Sequence, residues 1–138
     1  LTIVKVGEER ADDFSVGDYV IPQDPYLGSA VALPGIIQGE NYDLGGEGVA
    51  YHDTTAGNSG TATSNRDDDV DLYTCTDGAN CYNVGYLDNN EWLEYTVDVA
   101  SGGVYDVNLR VASAYTGSTF HLEMDGVNIT GSQSVPKS

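Results

Sequence analysis

The sequence predicts an all-β fold, a sandwich of antiparallel sheets, and three observations support this prediction. Apolar and polar residues alternate with a period of two in the second half of the chain, turn-forming residues recur about every ten positions, and no segment has a persuasive helical period. The chain has 138 residues, of which 40% are hydrophobic. This length suits one domain with a core and is too short for two ordinary domains.

The clearest predicted strand is 91–99. Its apolar set, expected to face the core, is Leu93, Tyr95, Val97 and Val99. Its opposite face carries Trp92, Glu94, Thr96 and Asp98. After a Ser101-Gly102-Gly103 turn, the same alternation predicts a strand over 105–111. There the core set is Tyr105, Val107, Leu109 and Val111, and the polar set includes Asn108 and Arg110.

A third strand is predicted around 119–124, where apolar residues alternate with His121 and Glu123. Asp125-Gly126 follows it and is a strong sequence for a two-residue hairpin turn, which predicts a partner strand over 127–130. The first half of the chain is less regular. We expect a strand at 36–42 and long loops over 43–85, and such loops in a compact domain are usually functional or held by a metal or disulfide.

Residues 1–25 differ in composition from the rest of the chain. They are crowded with acidic residues and end near two prolines, so we interpret them as an acidic linker or lead-in segment, with a short strand possible at 1–6. Residues 26–138 form the predicted β-sandwich domain. No signal peptide opens the chain, so we expect a mature product or a piece of a longer protein.

The charge of the chain excludes several classes of partner. Acidic residues number 22 and basic residues 5, which gives a formal net charge of −17. Nucleic-acid binding needs basic residues that replace counterions, and anionic membranes repel so acidic a surface. No apolar run approaches the roughly 20 residues of a membrane-spanning helix. We therefore expect no nucleic acid or membrane partner, and the composition fits a secreted protein that meets salt or divalent cations.

The two cysteines, Cys75 and Cys81, stand six positions apart around an Asp77-Gly78 turn. We predict a disulfide between them, which implies an oxidising, extracellular compartment and would fix one loop. Two free thiols are the alternative. A metal site is disfavoured because no second Cys or His pair has the required spacing.

Gln38 and Glu40 are a candidate metal pair. If 36–42 is a strand, both side chains point to the same face, and two oxygen donors on a rigid strand suit a hard cation such as Ca²⁺. The alternative is a solvated strand face.

The polar face of the predicted sandwich is a second candidate site. It comprises Trp92, Glu94, Asn108, Arg110, His121 and Glu123. A tryptophan beside hydrogen-bonding side chains is how proteins hold a sugar, by stacking and by polar contacts. Two alternatives remain: an ordinary sandwich face with one stray tryptophan, or a glycosidase pair formed by Glu94 and Glu123.

Aromatic residues also flank the cysteine loop. The segment Tyr82-Asn83-Val84-Gly85-Tyr86 places two tyrosines at the junction between that loop and the first clear strand. Aromatic residues at such junctions often form exposed binding platforms, and Asn83 and Tyr86 are our candidates for sugar contacts. Filling of the core is the competing interpretation.

Four motifs together resemble a family 6 carbohydrate-binding module. They are Ile-Gln-Gly-Glu-Asn-Tyr-Asp (37–43), Gly-Val-Ala-Tyr-His-Asp-Thr-Thr (48–55), Tyr-Asn-Val-Gly-Tyr-Leu-Asp-Asn-Asn-Glu-Trp-Leu-Glu-Tyr (82–95) and Leu-Arg-Val-Ala-Ser (109–113). The resemblance covers about 34–136 and is greatest to modules appended to secreted agarases. It implies a jelly-roll β-sandwich without catalysis, a structural calcium, and a sugar site in loops at one edge.

The resemblance also assigns roles to individual residues. It implies that Gln38 and Glu40 bind calcium, although family members often have Glu at the first position, and that the backbone carbonyl of Arg66 completes the site. Tyr86 corresponds to the aromatic residue of the edge cleft. Trp92, with a carboxylate near Glu123, corresponds to the second cleft of some members. Family members continue for several strands beyond position 136, so we expect this chain to be C-terminally incomplete.

These observations lead to one principal hypothesis and two alternatives. The principal hypothesis is a non-catalytic, secreted and monomeric module that binds agarose or a related galactan and targets a catalytic domain of the parent chain to it. The first alternative is a glycoside hydrolase domain that uses Glu94 and Glu123. The second is a calcium-stabilised adhesion sandwich that recognises protein.

Overall fold

The structure is a computed structural model that describes the backbone of residues 2–7 and, in full, residues 22–62, 66–76, 78 and 81–138. Across these residues it has nine β-strands, one short 3₁₀ helix at Gly39–Asn41 and no α-helix. The strands are β1 (Thr2–Gly7), β2 (Val31–Leu33), β3 (Tyr51–His52), β4 (Leu72–Thr74), β5 (Tyr82–Val84), β6 (Trp92–Val99), β7 (Thr119–Met124), β8 (Val127–Asn128) and β9 (Gln133–Ser134). The predicted all-β class is confirmed.

The strands form two sheets. The larger runs in the order β2-β6-β1-β7-β8, with β3 also paired to β6 and β9 to β7, and the smaller is the β4–β5 pair. The pairs β3–β6, β7–β8, β7–β9 and β4–β5 are antiparallel, whereas β1 and β2 pair in parallel with their neighbours. This arrangement is consistent with a β-sandwich, and the jelly-roll topology stays a prediction.

The core lies between the two sheets, and β6 forms much of it. Leu93, Tyr95 and Val97 are all buried, as the alternation in the sequence predicts. They belong to one hydrophobic cluster with Leu72 of β4, from the smaller sheet, and with Tyr42 from the loop region. Burial of this shared apolar surface holds the sheets together.

The β7–β8 hairpin confirms the turn prediction at Asp125-Gly126. Both residues have positive φ, 50° and 73° respectively, which is the conformation of a type I′ turn. The turn connects Met124 to Val127, which pair across the hairpin.

The predicted strand over 105–111 is wrong. The described backbone from 104 to 112 belongs to no strand, and Val107, expected in the core, is 58% exposed. The physical reason is competition for ladder partners: β1 pairs with β6 on one side and with β7 on the other, so it takes the position between them. Val107, Leu109 and Val111 of this segment instead line an open cleft of about 380 Å³, together with Phe120 and Leu122 of β7.

The predicted strand at 36–42 is also wrong. The backbone turns there, because the Asn41 amide donates to the Gln38 carbonyl at 3.0 Å. The Gly39 carbonyl accepts from the Tyr95 hydroxyl at 2.8 Å, so it is satisfied by a side chain and not by a strand ladder. Gln38 is exposed and Glu40 half-buried, and the two do not share a strand face.

Both ends of the segment 1–25 contribute to the fold. Strand β1 lies inside the large sheet, and Asp24 forms a β-bridge with Leu44. Residues 8–21, which carry most of the predicted acidic linker, lie outside the described residues. The boundary between 1–25 and 26–138 stays a prediction.

Candidate functional site

The β4–β5 hairpin is tied by the predicted disulfide. Cys75 and Cys81 are bonded, with their Cα atoms 5.3 Å apart, and the Cys75 amide donates to the Cys81 carbonyl at 3.0 Å. The pairing predicted from the sequence is therefore confirmed, although Asp77 of the predicted turn lies outside the described residues. Leu72 at the start of β4 is buried in the core and anchors the hairpin to the domain.

The register of the hairpin brings Tyr73 to the predicted sugar-binding residues. Tyr73 lies directly opposite Asn83. Residues opposite one another in an antiparallel pair point to the same face, with Cβ atoms about 5 Å apart. Because side chains alternate along a strand, this face is the one opposite to buried Leu72.

Tyr86 has a conformation that is uncommon for its residue type. Its φ is +46°, in the left-handed region that few residues other than glycine adopt. Its side chain is nevertheless 68% exposed, so burial does not hold the ring in place. Backbone strain of this kind persists only where the surroundings impose it, and it is concentrated at functional sites.

Tyr73 supplies that constraint. Its ring centroid is 5.4 Å from that of Tyr86, with the planes at 78°. The neighbouring Tyr86 side chain, ahead of desolvation, raises the pKa of Tyr73 to about 12. A Cβ at Gly85 would lie 2.8 Å from the Tyr73 ring, so the ring packs directly on the backbone that precedes Tyr86.

We call Tyr73, Asn83 and Tyr86 the aromatic corner. Asn83 and Tyr86 were predicted from the sequence, and the structure brings them together. Tyr73 was missed because 43–85 was interpreted as loops. The cysteine spacing could have found it, since Cys75 pairs with Cys81 and stepping two residues outward from each cysteine reaches Tyr73 and Asn83.

Trp92 lies elsewhere, on the larger sheet. It stands opposite His52 of β3, and the two rings are 6.3 Å apart at 38°. Trp92 is half-buried, and the His52 Nδ1 atom is hydrogen-bonded to a Glu47 carboxylate oxygen. The Trp92 ring therefore offers less open surface to a ligand than the Tyr86 ring does.

The predicted polar face is partly confirmed. Trp92 and His121 flank the same residue of β1, and Glu94 and Glu123 flank another, so these four residues share a face. Asn108 and Arg110 do not belong to it, because 104–112 leaves the sheet. We call Trp92, Glu94, His121 and Glu123 the sheet face.

Within the sheet face, His121 and Glu123 form a partly enclosed pair. His121 is buried, and its Nε2 atom lies 2.9 Å from a Glu123 carboxylate oxygen. The sheet face is thus more enclosed than the aromatic corner.

Two of the predicted calcium residues, Glu40 and Arg66, lie near buried Tyr95. Burial raises the pKa of the Tyr95 hydroxyl, and the negative charge of Glu40 contributes, while Arg66 acts in the opposite direction. The charges of Glu40 and Arg66 thus both influence the pKa of the Tyr95 hydroxyl. The amide oxygen of Gln38, the carboxylate of Glu40 and the carbonyl of Arg66 are hard oxygen donors, which fits the chemistry of Ca²⁺.

The Arg66 side chain has a separate structural role. Only 3% of it is exposed, and its guanidinium carbon lies 3.4 Å from the centroid of the Tyr42 ring. The guanidinium donates to the carbonyls of Tyr42 at 2.7 Å and Asp43 at 2.9 Å, and to the Asp68 carboxylate at 3.0 Å. A cluster of three or more His, Cys, Asp or Glu side chains able to hold a metal does not occur among the described residues.

The region around the aromatic corner has no basic residue in its sequence. From 67 to 109 the chain contains no Lys or Arg, while acidic residues recur throughout. The charge of Asp71 also contributes to the raised pKa of Tyr73. The corner therefore sits in a negative electrostatic field.

An all-β domain with an exposed aromatic ring that packs against a second ring has the features of a ligand-binding module. The sequence profile described as carbohydrate binding module (family 6) matches residues 61–138, more than half of the chain. The chain belongs to this family, and the family is one of non-catalytic binding modules. The match includes the motifs at 82–95 and 109–113. No curated protein matches the chain.

The matched region contains the β4–β5 hairpin, the aromatic corner and the whole sheet face. The motif at 37–43, which carries Gln38 and Glu40, precedes it, as does the motif at 48–55. No helix in the described part of the chain is long and apolar enough to cross a membrane.

Proposed function

We propose that this module binds agarose or a related neutral galactan through the aromatic corner and targets an attached polysaccharidase to that polymer. The observation that carries the proposal is Tyr86, an aromatic ring that is 68% exposed on a strained backbone within a carbohydrate-binding family. An exposed ring stacks on the C–H face of a pyranose, and Asn83 beside Tyr73 supplies both a hydrogen-bond donor and an acceptor.

Charge supports an uncharged polymer over a sulfated or uronic one. The net charge is −17, and the stretch 67–109 that forms the corner lacks basic residues. A polyanion would meet repulsion there and no cation with which to pair. Agarose is uncharged and meets neither obstacle.

We propose that calcium stabilises the module through Gln38, Glu40 and the carbonyl of Arg66. Support comes from the oxygen donors of this set and from the charges of Glu40 and Arg66, which both act on Tyr95. The ion would neutralise part of the negative charge close to the core.

We further propose a secreted, monomeric module within a longer enzyme. The Cys75–Cys81 disulfide supports an oxidising compartment. The high like charge opposes self-association. The family match supports a binding module over the hydrolase hypothesis for Glu94 and Glu123.

The test is affinity electrophoresis of the full chain in gels that contain agarose, carrageenan, xylan or cellulose. Agarose and carrageenan form a matched pair because both are galactans and only carrageenan is heavily sulfated. We expect retardation by agarose, little by carrageenan, and no release of reducing ends. Equal migration in all gels would refute carbohydrate targeting, and release of reducing ends would favour the hydrolase hypothesis.

A further inference from the structure

The inference concerns Tyr73, a residue that the sequence motifs do not single out, and it rests on the proposed function. Tyr73 is half-buried on β4 and shares its face with exposed Asn83. Its ring is nearly perpendicular to that of Tyr86. The two rings and the amide thus border one small concave angle on the surface of the hairpin.

The hydroxyl of Tyr73 is held at the edge of this angle. The edge-to-face contact with the Tyr86 ring and the packing on Gly85 fix the position of the ring that carries this hydroxyl. A phenolic hydroxyl has one proton and two acceptor lone pairs, so this hydroxyl can accept a hydrogen bond from a ligand. A pyranose stacked on Tyr86 projects its own hydroxyls past the rim of the ring, toward this oxygen.

Packing on the backbone makes the arrangement rigid. The Tyr73 ring lies so close to Gly85 that no side chain fits there. The disulfide at the end of the hairpin restricts both strands. A hydroxyl preorganised in this way loses little conformational entropy when a ligand binds.

We propose that Tyr73 contacts the sugar directly, with its hydroxyl oxygen accepting a hydrogen bond from a ring hydroxyl of the pyranose that stacks on Tyr86. Tyr73 is then a specificity residue, because a site built around a sugar hydroxyl discriminates against a ligand that lacks it. Asn83 serves the neighbouring hydroxyl.

The experiment is titration calorimetry of the full chain with an agarose-derived hexasaccharide. Tyr73→Phe keeps the ring and its packing on Gly85 but removes the hydroxyl. Loss of one hydrogen bond to a neutral group should weaken binding about five- to tenfold. Tyr115→Phe is the matched control, because Tyr115 is an exposed tyrosine outside the hairpin, and its affinity should equal that of the parent chain.

A second ligand separates direct contact from a purely structural role. O-methylation of the hexasaccharide removes the sugar's donor protons. The parent chain should bind the methylated sugar more weakly, and Tyr73→Phe should show a smaller difference between the two sugars. A structural role would weaken both sugars equally and would overturn the inference.

The failure of this inference is distinguishable from failure of the proposed function. If Tyr86→Ala loses binding while Tyr73→Phe binds like the parent chain, Tyr73 makes no contact and only the inference is wrong. If the parent chain has no affinity for the hexasaccharide, the agarose proposal and the inference are both wrong.

Discussion

Two pairs of tyrosines in this domain have nearly the same ring geometry and opposite surroundings. Tyr42 and Tyr51 are 5.8 Å apart at 75°, and Tyr73 and Tyr86 are 5.4 Å apart at 78°. Both members of the first pair are buried in the core. In the second pair Tyr73 is half-buried and Tyr86 largely exposed. Edge-to-face contact therefore does not separate a core pair from a binding pair.

The two tyrosine pairs differ in their polar partners. In the core pair, Tyr42 carries the Arg66 guanidinium on its ring, and that guanidinium is bonded to backbone carbonyls and Asp68. In the surface pair, the Tyr73 ring packs against the Tyr86 ring and on the backbone of Gly85. The first arrangement uses its hydrogen bonds within the fold. The second leaves acceptor capacity at the surface, which is what a ligand site needs.

The largest expected effect is the loss of stability when the Arg66 guanidinium, which lies on the Tyr42 ring, is removed. Arg66→Ala leaves two carbonyls without their donor and a partly buried carboxylate without its cation, which should lower the free energy of unfolding by about 3 kcal/mol. Urea denaturation measures the loss, and Arg110→Ala, an exposed arginine, is the control. Sugar affinity of the folded protein should stay unchanged. If Arg66→Ala lowers the stability by less than the control does, the contacts of Arg66 do not stabilise the core.

Calcium should act on the core pair and not on the surface pair. An ion that binds only the native state adds about 2.7 kcal/mol at one hundred times its dissociation constant. We expect a melting temperature several degrees higher with Ca²⁺ than with chelator, and loss of that difference in Glu40→Ala. Asp98→Ala, an exposed carboxylate on β6, should keep the difference. Identical melting curves with Ca²⁺ and with chelator would eliminate the calcium proposal.

The third prediction compares the aromatic corner with the sheet face. Loss of one aromatic stack should remove about 1–2 kcal/mol, roughly ten- to thirtyfold in affinity. We expect this loss for Tyr86→Ala and a much smaller one for half-buried Trp92→Ala, measured by calorimetry with the agarose hexasaccharide. If Trp92→Ala abolishes binding and Tyr86→Ala does not, the sheet face is the site.

The smallest effect is a difference in alkaline titration. The neighbouring Tyr86 side chain is the first cause of the raised pKa of Tyr73, about 12, whereas burial is the first cause of the raised pKa of Tyr42. Tyr86→Phe should therefore lower the pKa of Tyr73 toward the usual value of about 10. Tyr51→Phe should have little effect on Tyr42. Near-ultraviolet absorbance of tyrosinate follows both titrations, and an unchanged titration in Tyr86→Phe would contradict an interaction between the Tyr73 and Tyr86 hydroxyls.

The sign of the pH effect follows from the same shift. The native state holds the Tyr73 proton more tightly than the unfolded chain does. This contribution to stability is complete below about pH 10 and is lost as the pH rises through about 12. The raised pKa values of buried Tyr42 and Tyr95 act in the same direction.

Local patterns predicted the parts of the fold that depend on local chemistry. The apolar face of β6, the Asp125-Gly126 turn and the Cys75–Cys81 bond all follow from residues close in sequence. The alternation over 105–111 wrongly predicted a strand, because a strand also needs a neighbouring strand with unpaired backbone groups. Strand β1 occupies the place between β6 and β7.

The candidate site divides in the same way. Asn83 and Tyr86 could be found beside the cysteine loop, since both are close to it in sequence. Tyr73 required the hairpin register, which depends on the disulfide pairing. The side-chain role of Arg66 could not be predicted, because its partners Tyr42 and Asp43 are more than twenty positions away.

The contact between Tyr73 and Gly85 links the evolution of two positions. A Cβ at position 85 would meet the Tyr73 ring at 2.8 Å, so a larger residue can enter there only after the ring at 73 has been replaced by a small side chain. Related sequences should therefore vary at these positions together, either with glycine beside an aromatic residue or with a bulkier residue beside a small one. A lineage that takes the second route also gives up the hydroxyl next to the residue at position 86, and with it one way of telling sugars apart.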